Sequence, residues 1–138
     1  MTNLPATGTS LPAWTLHTPI DAAWVRRYAG ASGDDNPLHV DPAVARAAGF
    51  AGPIVPGMML LGLCERAIRA WYPDAEILRL AGRFLQPVVT PAALTLTGRV
   101  ALVNAAKATF ILRVLVGVPD AAPACMADAT LRPPQTQA

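Results

Sequence analysis

The stretch Ser32–Met58 reads SGDDNPLHVDPAVARAAGFAGPIVPGM, and it sets how the segments on either side must be arranged. Gly33–Pro37 is too dense in Gly, Asp, Asn and Pro to hold regular structure, and Pro37 pushes Asn36 out of the helical region. Asp41 followed by Pro42 is a helix start, VARAA its body and Gly49 its stop. SGDDNPLH is therefore a pinned loop between two short helices. After the irregular Phe50–Pro56, Gly57 opens the longest apolar helical run, GMMLLGLCERAIRAW, which Tyr72-Pro73-Asp74 stops. The first half, MMLLGLC, has no polar face and predicts burial on every side. Glu65, Arg66 and Arg69 enter only in the second half.

Upstream, Trp14–Thr18 (WTLHT) alternates enough for a short strand, and its His17 stands alone as a surface or strand histidine. Thr18 as N-cap, Pro19 at the first position and Asp21 three residues after the cap predict a first helix. Ile20, Ala23, Trp24 and Tyr28 recur at helical spacing, and Gly30 and Gly33 end it. Arg26 and Arg27 face solvent or meet an anionic ligand. Downstream, Glu76–Val89, Leu94–Val103, Lys107–Val118 and Ala124–Arg132 are β-prone runs divided by turn-like pieces. Consecutive strands with short links pair antiparallel. The fold class is α+β, with an antiparallel β-sheet of about five strands wrapped around a long central helix.

The totals agree with one domain over residues 1–138, with residues 1–12 and 133–138 expected to be flexible ends. Of 138 residues 53% are hydrophobic and only 14% charged, which excludes a disordered chain. Ten of the eleven basic residues are arginines, spread without a block, and the net charge is +2; no nucleic-acid footprint stands out. No run reaches the ~18 apolar residues of a membrane span, and MTNLPATGTSLPAW is not a signal peptide, so a cytoplasmic location is expected. Cys64 and Cys125 lack metal or CxxC spacing and read as buried thiols. With only His17 and His39 besides, no metal site is expected.

Chemistry concentrates in two places. Asp34, Asn36 and His39 share the pinned loop, where a carboxylate and an imidazole can polarise one water. An imidazole with an unperturbed pKa of about 6.5 exchanges protons near neutrality. The same residues also suit plain capping of turn amides, with His39 packed. Gly57, stiffened by Pro56, lets a ligand approach unpaired N–H groups at a helix start, where a developing oxyanion can sit. A plain helix start in the core has the same sequence.

Taken together, SGDDNPLHVD, GFAGPIV and GMM resemble the hydratase motif of the MaoC-like acyl dehydratases, or (R)-specific enoyl-CoA hydratases, of the hotdog fold. RFLQPVVTPAALTLTGRV is similar to that family's later strand stretch. The resemblance runs from about Trp14 to Arg132. It implies Asp34 and His39 as the catalytic pair, with Ser32, Asn36 and Pro37 supporting the loop. It implies Gly57 as the residue whose backbone N–H meets the thioester oxygen, and Met58, Met59 and Leu61 as candidates to line the acyl pocket. It further implies no cofactor, with CoA or acyl carrier protein carrying the acyl substrate. The implied assembly is a homodimer or larger homo-oligomer, a heteromer being the other form, with no nucleic-acid or membrane partner. The implied reaction is hydration of trans-2-enoyl thioesters or the reverse dehydration. The alternatives are a catalytically silent subunit completing a partner's acyl tunnel, and an acyl thioesterase. Pro56 stands where the family usually has His, Ala92-Ala93 where it has Gly-Asp, and Glu65 where some members have a small hydroxyl residue.

Overall fold

A computed structural model describes residues 3–135. Among the described residues five strands form one sheet: β1 (Trp14–Thr15), β2 (Glu76–Phe84), β3 (Thr95–Asn104), β4 (Thr109–Gly117) and β5 (Cys125–Arg132). Their spatial order is β1-β3-β4-β5-β2, and every pair is antiparallel. Three helices accompany them: α1 (Ala22–Ser32), α2 (Pro42–Ala47) and α3 (Gly57–Trp71), with a 3-10 turn at Pro37–His39.

The period-two pattern of the strands decides which face is covered. Leu96 and Val100 on β3, Phe110, Leu112, Val114 and Val116 on β4, and Cys125, Ala127, Ala129 and Leu131 on β5 are buried. Met59, Leu60, Leu63, Cys64, Ala67 and Ile68 of α3 join the same core. The helix lies against β2, β4 and β5, and two glycines make room for it. A Cβ on Gly82 would stand 2.7 Å from Leu61 Cδ1, and one on Gly98 would stand 2.8 Å from Trp71 Cζ3. The sheet face can approach the helix only where those side chains are missing. At the helix–sheet seam the two cysteines meet as free, fully buried thiols. The hydrogen bond with Cys125, and then burial, push the Cys64 thiol far above its ordinary pKa, so it stays protonated.

Several expectations need correction. The first helix starts later than Thr18-Pro19 predicts: Asp21 is its N-cap, accepting the Trp24 N–H at 2.8 Å. Asp outcompetes Thr18 because Ile20 is already committed to a β-bridge with Ala92. Gly30 lies inside the helix, and Gly33 ends it in the left-handed conformation at φ 77°. The start of α3 is not buried on every side, because Met58 is 59% exposed. Residues 3–12 are not a loose end. Gly8 and Leu11 donate to Val100 and Gly98 carbonyls, and Val100 donates to Thr9, so this segment lines β3. The expected flexibility at residues 1–2 and 136–138 concerns positions outside the described residues.

β2 and β3, consecutive in sequence, do not pair. β2 adds to the far edge, beside β5. The connection, residues 85–94, must therefore pass the width of two intervening strands. On its way it latches the segment ahead of α3: Val55 N–H donates to Val88 O at 2.8 Å, and Thr90 N–H to Pro53 O at 2.8 Å. Sheet order thus fixes where α3 begins.

Candidate active site

The loop between α1 and α2 is held almost entirely by its own short polar side chains. Ser32 Oγ accepts the Asp34 N–H at 3.1 Å, and Asp34 Oδ1 accepts the Asn36 N–H at 3.4 Å. Asn36 Oδ1 accepts the Leu38 N–H at 3.1 Å, capping the 3-10 turn in which Pro37 takes the first position. Asp41 then caps α2 through the Ala43 and Val44 amides. Each side chain satisfies an amide that the turn would otherwise leave unpaired.

The turn aims His39 inward. Its side chain is 11% exposed, against 39% for Asp34. His39 Nδ1 lies 2.8 Å from the Ile54 carbonyl oxygen, which can only accept. Nδ1 therefore carries the hydrogen, and Nε2 of the neutral ring presents its lone pair. Nε2 faces Asp34 Oδ2 at 3.5 Å. The Ile54 N–H is itself bonded to Leu38 O at 3.1 Å, so loop and Ile54 hold one another on both sides. This geometry offers two acceptor atoms to one water: a base on Nε2 and a carboxylate oxygen beside it.

The same segment leads to α3. Pro56 is its N-cap and no side chain caps this end. The Pro56 carbonyl takes the Met59 and Leu60 amides, while Pro53 O, one turn before Gly57, is taken by Thr90. The Gly57 amide is thus left at the positive end of a 15-residue helix, where a developing negative charge is favoured. His39 and Gly57 border one cleft of about 300 Å³, together with Ile54, Leu60, Phe84 and Leu85.

The sequence-derived site residues distribute as follows. Asp34, Asn36 and His39 come together with Ser32 and Pro37 in the loop, and Gly57 joins His39 at the cleft. Of the candidate acyl-pocket residues, Met58 is largely exposed, Met59 is buried in the core and Leu61 packs onto Gly82. Leu60 is the α3 residue that borders the cleft. Glu65 turns away to Arg69, its carboxylate 2.8 Å from Nη2. Sequence reasoning did not single out the Ile54 carbonyl or Phe84. Phe84 sat in the quoted RFLQPV run, but nothing local told that the strand end would return to Gly57.

One long helix on a five-stranded antiparallel sheet, with a polar loop set beside the helix start, is the hotdog fold. Residues 8–117 match the MaoC like domain family, and the chain belongs to that family. Among curated relatives, 3-hydroxyacyl-thioester dehydratase X of Mycobacterium tuberculosis is 41% identical over 73 residues, 53% of this chain and 25% of its own length. The mitochondrial 3-hydroxyacyl-[acyl-carrier-protein] dehydratase of Arabidopsis thaliana is 41% identical over 64 residues, 46% of this chain and 39% of its own. The chain therefore spans well under half the length of these relatives. Among solved structures, the (R)-hydratase from A. caviae involved in PHA biosynthesis superimposes with a TM-score of 0.84 at 27% identity, covering 94% of this chain and 98% of that one.

Proposed function

We propose that the protein interconverts trans-2-enoyl thioesters and (R)-3-hydroxyacyl thioesters by reversible addition of water, with CoA or an acyl carrier protein bearing the acyl group. The observation that carries this reading is the His39 Nε2–Asp34 Oδ2 pair at 3.5 Å, set beside the cleft that holds Gly57. The names of the relatives, thioester dehydratases and an (R)-hydratase, support it.

In the hydration direction, a water held by Nε2 and Oδ2 gives a proton to Nε2 as its oxygen bonds to C3. The π pair of C2–C3 moves to C1–C2, and the carbonyl pair moves onto the thioester oxygen. The Gly57 N–H stabilises that oxygen; removal of one such donor costs about 3 kcal/mol in other enzymes. Collapse of the enolate then takes a proton at C2 from the same polar pair, on the same face, and His39 returns to its neutral form. The electrons stay within the substrate, so the chemistry calls for no redox cofactor. Nδ1 keeps its hydrogen throughout because Ile54 O holds it.

The assembly we propose is a homodimer joined along β2. That strand is an edge of the sheet, and Leu78 on it is 40% exposed. Placing a second copy there also brings it beside the cleft, since Phe84 ends the same strand and Leu85 follows it.

Hydration of crotonyl-CoA, followed by loss of enoyl absorbance, tests the activity. Asp34→Asn and His39→Ala are expected to lower kcat by about 10²- to 10⁴-fold each, with the fold retained. Turnover unaffected by either change would remove both residues from the mechanism. Release of free thiol in place of hydration would make the protein a thioesterase.

A further inference from the structure

We infer that Thr90 is a positioning residue for His39, acting through the two peptide units on either side of Ile54. The inference deepens the proposed hydration and rests on it for its kinetic consequence. Thr90 lies in the connection between β2 and β3, far along the chain from the loop of Asp34 and His39. It meets Pro53 O twice, through its N–H at 2.8 Å and through its hydroxyl at 3.0 Å. Val55 N–H donates to Val88 O at 2.8 Å, and between these contacts Ile54 and Val89 form a β-bridge. The two segments run close together: a Cβ on Gly52 would stand 3.3 Å from Val89 Cγ1.

A trans peptide group is a planar unit whose C=O and N–H point in opposite directions. In the Pro53–Ile54 unit Thr90 holds the carbonyl, and the N–H on the other side donates to Leu38 O at 3.1 Å. In the Ile54–Val55 unit Val88 holds the N–H, and the carbonyl on the other side accepts from His39 Nδ1 at 2.8 Å. Two successive units thus have one end on residues 88–90 and the other on the loop that carries His39. A single hydrogen bond leaves such a unit free to pivot about the bond. The Thr90 N–H and hydroxyl grip one oxygen from two donor atoms and oppose that pivot.

The consequence is read at the imidazole. Nδ1 carries the hydrogen because the Ile54 carbonyl faces it, and that leaves the Nε2 lone pair on the side of Asp34 Oδ2. His39 sits in a 3-10 turn of only three residues, so its ring takes its aim from that carbonyl. Rotation of the Ile54 units would draw the carbonyl away from Nδ1. The hydrogen could then move to Nε2, where it blocks the base. Thr90 does not border the cleft, so its hydroxyl acts on the state of His39 and not on substrate. Loss of that hydroxyl should therefore appear in kcat rather than in KM.

The test replaces Thr90 by Val, which keeps the shape and the backbone bond but removes the hydroxyl, and by Ser, which keeps the hydroxyl. Pro53 O stays bonded to the residue-90 N–H in both, so thermal melts should stay near the parent. The protein has two histidines, so His39→Ala assigns the ring nitrogen resonances by difference. Recorded above about pH 8, where an ordinary imidazole is neutral, the parent and Thr90→Ser should show the His39 hydrogen on Nδ1. Thr90→Val should show both tautomers. On crotonyl-CoA, Thr90→Val should lower kcat by about tenfold with KM little changed, a part of what a misplaced catalytic group costs, and Thr90→Ser should hold most of the parental rate. A parental tautomer in Thr90→Val, a parental kcat, or an equal loss in the Val and Ser variants overturns the inference and leaves the hydratase reading intact. A parent that hydrates neither crotonyl-CoA nor longer enoyl-CoAs removes that reading, and the tautomer comparison alone then decides whether Thr90 positions His39.

Discussion

At the scale of single residues, the site depends on where hydrogen-bond donors point. Asn36 places its Oδ1 on the Leu38 amide and so sets the turn that carries His39. Asn36→Ala should cost about 1 kcal/mol of stability, the ordinary value of a lost cap, measured by urea denaturation. Its effect on kcat should be larger than that, because His39 then loses its fixed approach to Asp34. Gly57→Ala separates stability from function the other way. The added Cβ meets only the exposed ring of Phe84, which can move, so the melting temperature should change little. Alanine keeps the backbone N–H, but its methyl group takes up space at the cleft beside that amide, so crotonyl-CoA hydration should fall by crowding of the bound thioester rather than by loss of the donor. A Gly57→Ala protein with parental activity would show that the thioester does not pack closely against this residue.

At the scale of elements, α3 is docked by absence. Gly98 faces the Trp71 ring and Gly82 faces Leu61, each too closely for a Cβ. Trp71 is further held by its indole N–H to Pro12 O at 2.9 Å, so it cannot swing clear. Gly98→Ala should therefore destabilise by about 1–3 kcal/mol, an overpacking cost, seen as a lower urea midpoint. Leu61 has more freedom, so Gly82→Ala should cost less. On the outer face of the sheet, Arg113 Nε and Nη2 donate to Asp128 Oδ1 and Oδ2 at 2.8 and 2.9 Å. That pairing holds the Asp128 carboxyl below the usual carboxylate range. A depressed folded-state pKa gives stability that is present above the unfolded value of about 3.9 and lost as pH falls through the folded one. With Asp128 at 36% exposure, screening leaves under about 1 kcal/mol. Between pH 5 and acid unfolding, Asp128→Asn should show a shallower fall in urea midpoint than the parent, and equal slopes would dismiss the pair as a source of acid sensitivity.

At the scale of the whole molecule, β2 is the open edge. It is bonded on one side only, to β5, and an edge of nine residues invites pairing with a second copy. Light scattering should give twice the chain mass. Leu78→Lys, a charge placed on the exposed part of that edge, should yield monomers and weaken hydration as well, because the cleft ends on the same strand. A parent that stays monomeric at the concentrations of the assay would show that one chain suffices.

Local chemistry made much of this protein legible in its residues. The loop from Ser32 to His39, the start of α2 at Asp41-Pro42 and the span of α3 follow from short-range preferences, since each rests on contacts within a few residues. The strands were likewise marked by their side chains, with ends displaced by a few positions. What short-range preferences could not contain was pairing at a distance. β2 joins β5 because the sheet closes its core that way, not because the two are neighbours in sequence. The edge of β3 is lined by residues 8–11, which composition alone marked as loose. The burial of one side of α3 and the exposure of Met58 follow from which side the sheet covers. The Ile54 carbonyl fixes the His39 tautomer, and Phe84 comes to rest on Gly57, through contacts between residues 15 and 27 positions apart. The residue types that can do the chemistry were determined by the sequence. Their lone pairs, distances and neighbours were decided only by the tertiary structure, because hydrogen bonding and packing across the sheet depend on positions in space rather than along the chain.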